Sequence, residues 1–372
     1  MWLCDRTRIV EGWKCPRKRY LGYHLDGRGV SSSQLQLELF LGIVIHDSLA
    51  AIATHQRDRG SVDIDLIADS ARQQIFDGLK DSSPTGGDFA IEQSHLIEAM
   101  IRGFARHTWP RLMQQYPTII AVEQEVVYDI DDQIRFMSRP DLILADAEGN
   151  WFVIEYKSTG SKKEAWVAQW STAVQVHSQM KAIEASMGTL PTAVIVVGLY
   201  KGYVSYGKLS TPLVYGYKQN GQPPFRPDLW SFEYQKGYWR TAAWTRPGGI
   251  KQWIADMPDD VLSNQYPVTP PLFLKEDMVD RFFTQTRWRE HEIKMACQML
   301  NSGEMDAEAQ QNILDVAFPQ RFDQCRLGYG KSDEGITCEY LPICHGGGQL
   351  GHQFLPRELH HEPEVEQFGE TQ

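Results

Sequence analysis

The run Ala193-Val194-Ile195-Val196-Val197-Gly198-Leu199 contains no polar side chain. Successive side chains of a strand point to opposite faces, so a strand of this composition is buried on both. That situation arises inside a sheet covered by helices on each side, and it suits a strand lying parallel to an earlier one. The preceding segments supply the rest of such a sheet. Residues 118–130, 134–145 and 151–158 are rich in β-branched and aromatic residues and are separated by Asp131-Asp132 and Glu148-Gly149-Asn150, which are turn signals. Residues 164–187 return to helical spacing and stop at Gly188, the residue type favoured just past a last helical turn. The order read is β-β-β-α-β. Upstream, Leu41, Ile45 and Leu49 mark a helix over residues 39–53 with His46 in its middle, and a second long helical pattern covers residues 89–116.

The chemistry is concentrated in two of the strand patterns. Arg139-Pro140-Asp141-Leu142-Ile143-Leu144 is followed, across the Glu148-Gly149-Asn150 turn, by Val153-Ile154-Glu155-Tyr156-Lys157. Glu155 and Lys157 are two apart and share a face, with Ile154 and Tyr156 on the other, and a hairpin across Gly149 brings Asp141 alongside. Two carboxylates suit hard divalent cations such as Mg²⁺ or Mn²⁺, and a neighbouring lysine can position or deprotonate a water and stabilise developing charge. This is a donor set for phosphodiester hydrolysis. Glu123 and Glu125 share a face of the preceding strand, and one of them could support the site from behind. Asp129, Asp131 and Asp132 read as solvated turn residues.

The strand carrying Arg-Pro-Asp, the turn, the hydrophobic-Glu-x-Lys strand and the glutamine-bearing helix resemble the RecB-like branch of the PD-(D/E)XK nucleases. That resemblance implies an α/β fold with a restriction-endonuclease-like core, a central mixed β-sheet flanked by helices, and helical, cysteine-bearing N- and C-terminal extensions. It implies Asp141, Glu155, Lys157 and Gln175 as catalytic residues, with His46, set in Gly42-Ile43-Val44-Ile45-His46, binding metal together with Asp141 and Glu155. The family's Q-x-x-x-Y motif is matched at Gln175 and departs at Gln179, where the family has tyrosine. Some RecB-like nucleases, AddB-type and CRISPR-associated ones among them, hold a [4Fe-4S] cluster with one early and three late cysteines. Here Cys15 is the implied early ligand and Cys325, Cys338 and Cys344 the late ones, with Cys4 an alternative to Cys15 and Zn²⁺ an alternative to the cluster. The gap from Cys338 to Cys344 fits the family, whereas twelve residues separate Cys325 from Cys338 where the family has two. Cys297, on an apolar helical pattern, reads as core.

The division expected along the chain is an N-terminal segment (1–30), a nuclease core (31–200), a β-rich aromatic extension (201–245), a helical and cysteine-bearing region packing back on the core (246–345) and a disordered tail (346–372). A net charge of −11 over 372 residues excludes a surface uniformly coated in lysine, so contact with DNA must be local. The densest basic group, Arg17, Lys18 and Arg19, is the expected phosphate grip. Tyr, Trp and Phe among basic residues over 200–244 suit either base stacking or an extended sheet. No apolar run reaches the roughly 18 residues of a membrane span, and a cytoplasmic location is expected. The resemblance points to an exonuclease in DNA processing, recombination or repair, similar to stand-alone phage or prokaryotic nucleases. No G-x-x-x-x-G-K-[ST] loop is present, so unwinding would fall to a helicase or recombination partner. The competing expectation is a catalytically inactive DNA-end-binding module of the same fold.

Overall fold

The computed structural model describes residues 1–32, 37–81, 87–159, 163–170, 173–201, 204–206, 209–211, 213–219, 238–321, 326–327, 336–345 and 354–357. The chain opens with strand β1 (Trp2–Asp5), helices α1 (Arg6–Lys14) and α2 (Pro16–Tyr23), and strand β2 (Val30–Ser32). Asp5 caps α1 by accepting the Arg8 backbone N–H at 2.9 Å, and Pro16 opens α2, where a missing N–H leaves no bond unmade. A helical layer follows: α3 (Leu37–Arg59), α4 (Ile64–Leu79), α5 (Gly87–Gly103) and α6 (Trp109–Gln115). Helix α4 is an addition to the elements expected from sequence. Asp63 caps it through Leu66 N–H at 3.0 Å, and Ile67, Ala68, Ala71, Ile75 and Leu79 form its buried stripe. The pattern over 89–116 is one rod with a π-helical turn at Phe104–Thr108, a wider turn that relieves Pro110, which has no N–H to give the helix. Helix α3 is long and apolar enough to cross a membrane by composition alone, yet Leu41, Val44, Ile45, Leu49 and Ile52 are packed in the core.

The next elements are β3 (Thr118–Val122), β4 (Val126–Asp129), β5 (Ile134–Ser138), β6 (Leu142–Ala145), β7 (Trp151–Thr159), α7 (Lys163–Trp170), α8 (Val174–Met187) and β8 (Ala193–Tyr200). The central sheet has the order β3-β6-β7-β8, with β3, β6 and β7 antiparallel and β8 parallel to β7, Lys157 lying level with Gly198. Seven of the eight residues of β8 are buried, the outcome its composition requires. A second sheet, β1-β5-β4, pairs β1 parallel to β5. The single strand expected over 118–130 is therefore two strands in two sheets. β3 pairs with β6 and β4 with β5, so the chain must leave one sheet for the other between them, and it does so at Glu123 with φ 48°.

Two apolar layers sandwich the central sheet. Leu142, Leu144, Ile154, Tyr156, Ile195 and Val197 face α3–α6, while Ile143, Val153, Val194 and Val196 face the layer that includes α8. Past β8, hairpins join β9 (Val204–Tyr206) to β10 (Leu209–Thr211) and β11 (Tyr215–Gln219) to β12 (Tyr238–Ala242), and most of the aromatic stretch between lies outside the described residues. Then come α9 (Gly249–Ala255), α10 (Asp259–Gln265), α11 (Glu276–Leu300), α12 (Ala307–Ala317), the short pair β13 (Arg326–Leu327) and β14 (Ile336–Thr337), α13 (Leu341–His345) and β15 (Phe354–Pro356). β15 corrects the expectation of a wholly disordered tail from residue 346, because it pairs with β2 and Phe354 is buried. The two ends of the chain thus meet. Tyr340 donates its hydroxyl to Val30 O at 2.8 Å, and the Arg19 guanidinium on α2 grips Glu290 on α11 at 2.7 and 2.5 Å, both side chains being buried.

Candidate metal centre

The site forms where the central sheet splits. β6 begins at Leu142, paired with Ile154, while β7 continues for five residues beyond that pair. The Tyr156 backbone N–H, left without a β6 carbonyl, donates instead to Oδ2 of Asp141 at 2.6 Å. Asp141 is thereby fixed as a side-chain extension of the ladder, and its other oxygen, Oδ1, lies 3.0 Å from Nδ1 of His46 on α3. The Tyr156 ring, buried below, meets the His46 imidazole edge-on at 6.4 Å.

On the face opposite Tyr156, Lys157 donates Nζ–H to Glu155 Oε2 at 2.9 Å, and Gln179 on α8 donates Nε2–H to Oε1 at 2.6 Å. Each oxygen of Glu155 therefore holds a donor. Burial lowers the Lys157 pKa, but Glu155 and Asp141 outweigh it and hold the ammonium above its ordinary range. Burial likewise pushes Asp141 up, while Lys157, His46 and the Tyr156 N–H together carry it below the usual carboxylate range. For His46 the burial penalty is exceeded by Asp141, so the imidazole is raised. Arg6, at the first turn of α1, is half-buried, and burial lowers its pKa while the charges of Glu155 and Asp5 raise it.

Glu123 completes the cluster from the other side. Its backbone N–H donates to Asp141 O at 3.1 Å, continuing the β3–β6 ladder by one residue, but its left-handed φ swings the side chain out of the strand direction. That conformation costs a residue with a Cβ roughly 1–2 kcal/mol. Burial and the Asp141 charge push the Glu123 carboxyl up to about 7, against the pull of Arg139, whose Nε lies 3.3 Å away. His46, Glu123 and Asp141 each offer a ligand atom within 4.8 Å of the others. These donors fit a hard divalent cation: neighbouring donors of an octahedral ion with bonds of about 2.1 Å are about 3 Å apart, the His46–Asp141 separation found here.

A sequence profile described as the PD-(D/E)XK nuclease superfamily matches residues 7–345. The chain belongs to this superfamily. Membership implies a metal-dependent nuclease, and the letters of its name stand at Pro140-Asp141 and Glu155-Tyr156-Lys157. No curated protein matches the chain. Among solved structures, one titled "Crystal structure of SSO0001" is similar at 16% identity, covering 47% of this chain and 77% of its own, and its TM-score of 0.21 is too low to bear on fold or function.

The superfamily fold places the remaining sequence-derived residues unevenly. Gln175 is on α8, but its side chain lies outside the described residues; the glutamine that holds Glu155 is Gln179, one turn further on. The basic group is not a surface grip. Arg17 is buried, donating Nε–H to Phe318 O at 2.8 Å and pairing with Asp315 at 2.7 Å; Arg19 is committed to Glu290; and Lys18 pairs with Glu11 at 2.8 Å and Glu339 at 3.4 Å. A run of cations within one helix is read from sequence as solvated, and the acidic partners on α11, α12 and the segment at 339 are too remote in sequence to be read with it.

Cys15 is buried between α1 and α2, and Cys338 and Cys344 pack partly buried against the apolar cluster that contains Tyr20 and Leu21. Cys325 lies outside the described residues. Cys4 belongs to a different cluster, and burial holds its thiol well above the usual range, which makes it a poor thiolate donor. Cys297 is buried in the third cluster. Gln179, Arg6 and Glu123 are what sequence reasoning missed or underweighted. Read as one continuous strand, residues 118–130 give Glu123 no special place; the local signal is the polar run Glu123-Gln124-Glu125, and the ion pair with Arg139 forms only on folding.

Proposed function

We propose that this protein is a divalent-metal-dependent deoxyribonuclease that hydrolyses phosphodiester bonds as a RecB-like exonuclease in DNA processing, recombination or repair. The observation that carries the reading is Asp141 fixed between His46 and the β7 backbone, beside the Glu155–Lys157 pair. Asp141 and His46, with Glu155, are the residues that would hold Mg²⁺ or Mn²⁺. When bound, the cation would activate water and neutralise charge on the phosphate. The protein's own part is positional and electrostatic. Gln179 and Lys157 fix the Glu155 carboxylate, the Tyr156 N–H fixes Asp141, and the Lys157 ammonium offers positive charge where a phosphate would gather negative charge. The test is incubation of purified protein with end-labelled linear DNA and closed circular DNA, in Mg²⁺, Mn²⁺ or EDTA. We expect the linear DNA to be degraded with either metal and the circle to survive. Absence of cleavage under every metal condition sinks the nuclease reading, and nicking of the circle sinks the exonuclease part.

The same reading extends to Cys15, Cys325, Cys338 and Cys344 as ligands of a [4Fe-4S] cluster, with Zn²⁺ as the other four-thiolate occupant. It is supported by the packing of Cys338 and Cys344 on the cluster of residues that follows Cys15 in α2, and by the ion pair of Lys18, one turn from Cys15, with Glu339, the residue after Cys338, at 3.4 Å. A brown protein whose absorbance disappears on oxidation supports the cluster. Colourless protein with one zinc per chain replaces it, and protein with neither metal removes the proposal. Unwinding of duplex ends would come from a helicase or recombination partner, in the cytoplasm.

A further inference from the structure

The carboxylates around His46 are unequally occupied. Asp141 is engaged at both oxygens, and both oxygens of Glu155 receive donors from Lys157 and Gln179. A carboxylate can accept at about four lone-pair positions, so these two have part of their capacity already taken. Glu123 differs. Its side chain has a single ion-pair partner among the described residues, Arg139 at 3.3 Å, and the Arg139 side chain is 50% exposed. Such a solvent-facing pair is weak and readily exchanged.

The backbone at Glu123 tells the same story from another direction. Continuing β3 as a regular strand would keep the chain in the central sheet, and the crossing to β4 could be made with a glycine at the left-handed position at no cost in side-chain strain. A glutamate stands there instead, and the turn carries its carboxylate to within 4.8 Å of the His46 and Asp141 ligand atoms while its N–H stays registered to Asp141 O. Three donors thus converge from α3, the β3–β4 crossing and the start of β6.

We propose that Glu123 is a protein ligand of the divalent cation, joining His46 and Asp141. The assignment rests on the nuclease reading for the existence of the cation and adds to it a carboxylate from outside the Asp-Glu-x-Lys pattern. With Glu123 the donor set becomes one imidazole and three carboxylates, Glu123 joining Asp141 and Glu155, whose charges both act on it. Arg139, half exposed, would give up Glu123 for solvent with the cation bound.

The experiment measures binding, not cleavage. The full chain, purified and desalted in buffer free of added divalent cations, is titrated with Mn²⁺, and free Mn²⁺ is followed by electron paramagnetic resonance for wild type, Glu123→Gln and Asp141→Asn. Far-ultraviolet circular dichroism checks folding. We expect Glu123→Gln to weaken Mn²⁺ binding by at least about tenfold, a loss of the size typical for residues that hold or orient a metal. Any smaller change overturns the assignment. Should Glu123→Gln fail to fold, Glu123→Ala is held to the same threshold. Asp141→Asn separates the two levels: if it loses Mn²⁺ binding while the Glu123 variant does not, only this inference falls, and if neither loses binding, the metal-centre reading falls with it.

Discussion

Replacing Glu290 by glutamine should unbalance the joint between the two ends of the chain. Arg19 and Glu290 are each 1% exposed, and the guanidinium meets the carboxylate through both terminal nitrogens at 2.7 and 2.5 Å, while Trp2 Nε1–H donates to the same carboxylate at 2.9 Å. Arg19 Nε–H also donates to His24 Nε2 at 3.3 Å, and burial together with Arg19 holds that imidazole well below its ordinary pKa, so it stays a neutral acceptor. Once Glu290 loses its charge, the buried guanidinium loses its hydrogen-bonded counter-ion, and the Asp5 carboxylate is left to offset it. Breaking one side of such a pair costs about 3–5 kcal/mol. Glutamine keeps one oxygen that can still accept, which places Glu290→Gln near the lower end, about 3 kcal/mol, and Glu290→Leu near the upper end. Against a typical total of about 5–15 kcal/mol, the loss is large enough to read directly from urea unfolding followed by tryptophan fluorescence. The double variant Arg19→Met, Glu290→Leu removes both charges and should recover most of the loss, less about 1 kcal/mol for the orphaned Trp2 N–H. A Glu290→Gln loss below about 1 kcal/mol, or a double variant no better than Glu290→Leu, would refute the buried-pair reasoning.

Other perturbations have equally definite outcomes. Gly198 lies level with Lys157, and a Cβ there would meet Pro267 Cγ at 2.7 Å and the Trp166 ring at 3.0 Å, so Gly198→Ala should cost about 1–3 kcal/mol in the same urea assay; a neutral result contradicts the packing. Burial raises the Glu98 pKa, but His95 and Arg102 more than compensate and leave it lowered, so its contribution to stability is present above the unfolded value of 4.5 and lost as pH falls through the lower folded value. The stability gap between wild type and Glu98→Gln should therefore shrink as pH drops below 4.5, and a gap that widens there contradicts the assignment. Gln179→Leu removes the amide donor to Glu155 Oε1 and should lower Mn²⁺-dependent cleavage by about 10–100-fold with circular dichroism unchanged; full activity would show that Gln179 does not position the carboxylate.

Much of the fold could be read locally. The apolar run of β8, the glycine at Gly188 that ends α8 with φ 74°, and the hairpin across Gly149 with φ 86° are each dictated by a few adjacent residues. Elements that depend on distant partners were harder to see. The break at Glu123 is imposed by the separate pairing of β3 with β6 and β4 with β5, and the one local trace of it is the polar run Glu123-Gln124-Glu125 between two apolar stretches. Arg17 and Arg19 look like surface cations until Asp315 and Glu290, some 300 and 270 residues away, are folded onto them. The site divides in the same way. Asp141, Glu155 and Lys157 lie within one hairpin and follow from strand periodicity, whereas Gln179 and Glu123 are recruited by tertiary packing. Helix α4 is a different case, since its Asp63 cap and buried stripe are local signals present in the sequence.

The most direct test of the site is single-turnover cleavage of linear DNA in Mn²⁺ by wild type, Glu155→Gln and Lys157→Ala, with DNA binding measured in parallel. We expect each variant to bind DNA much as wild type does and to cleave at least about a hundredfold more slowly. Cleavage by either variant at close to the wild-type rate would mean that these strands do not carry the chemistry.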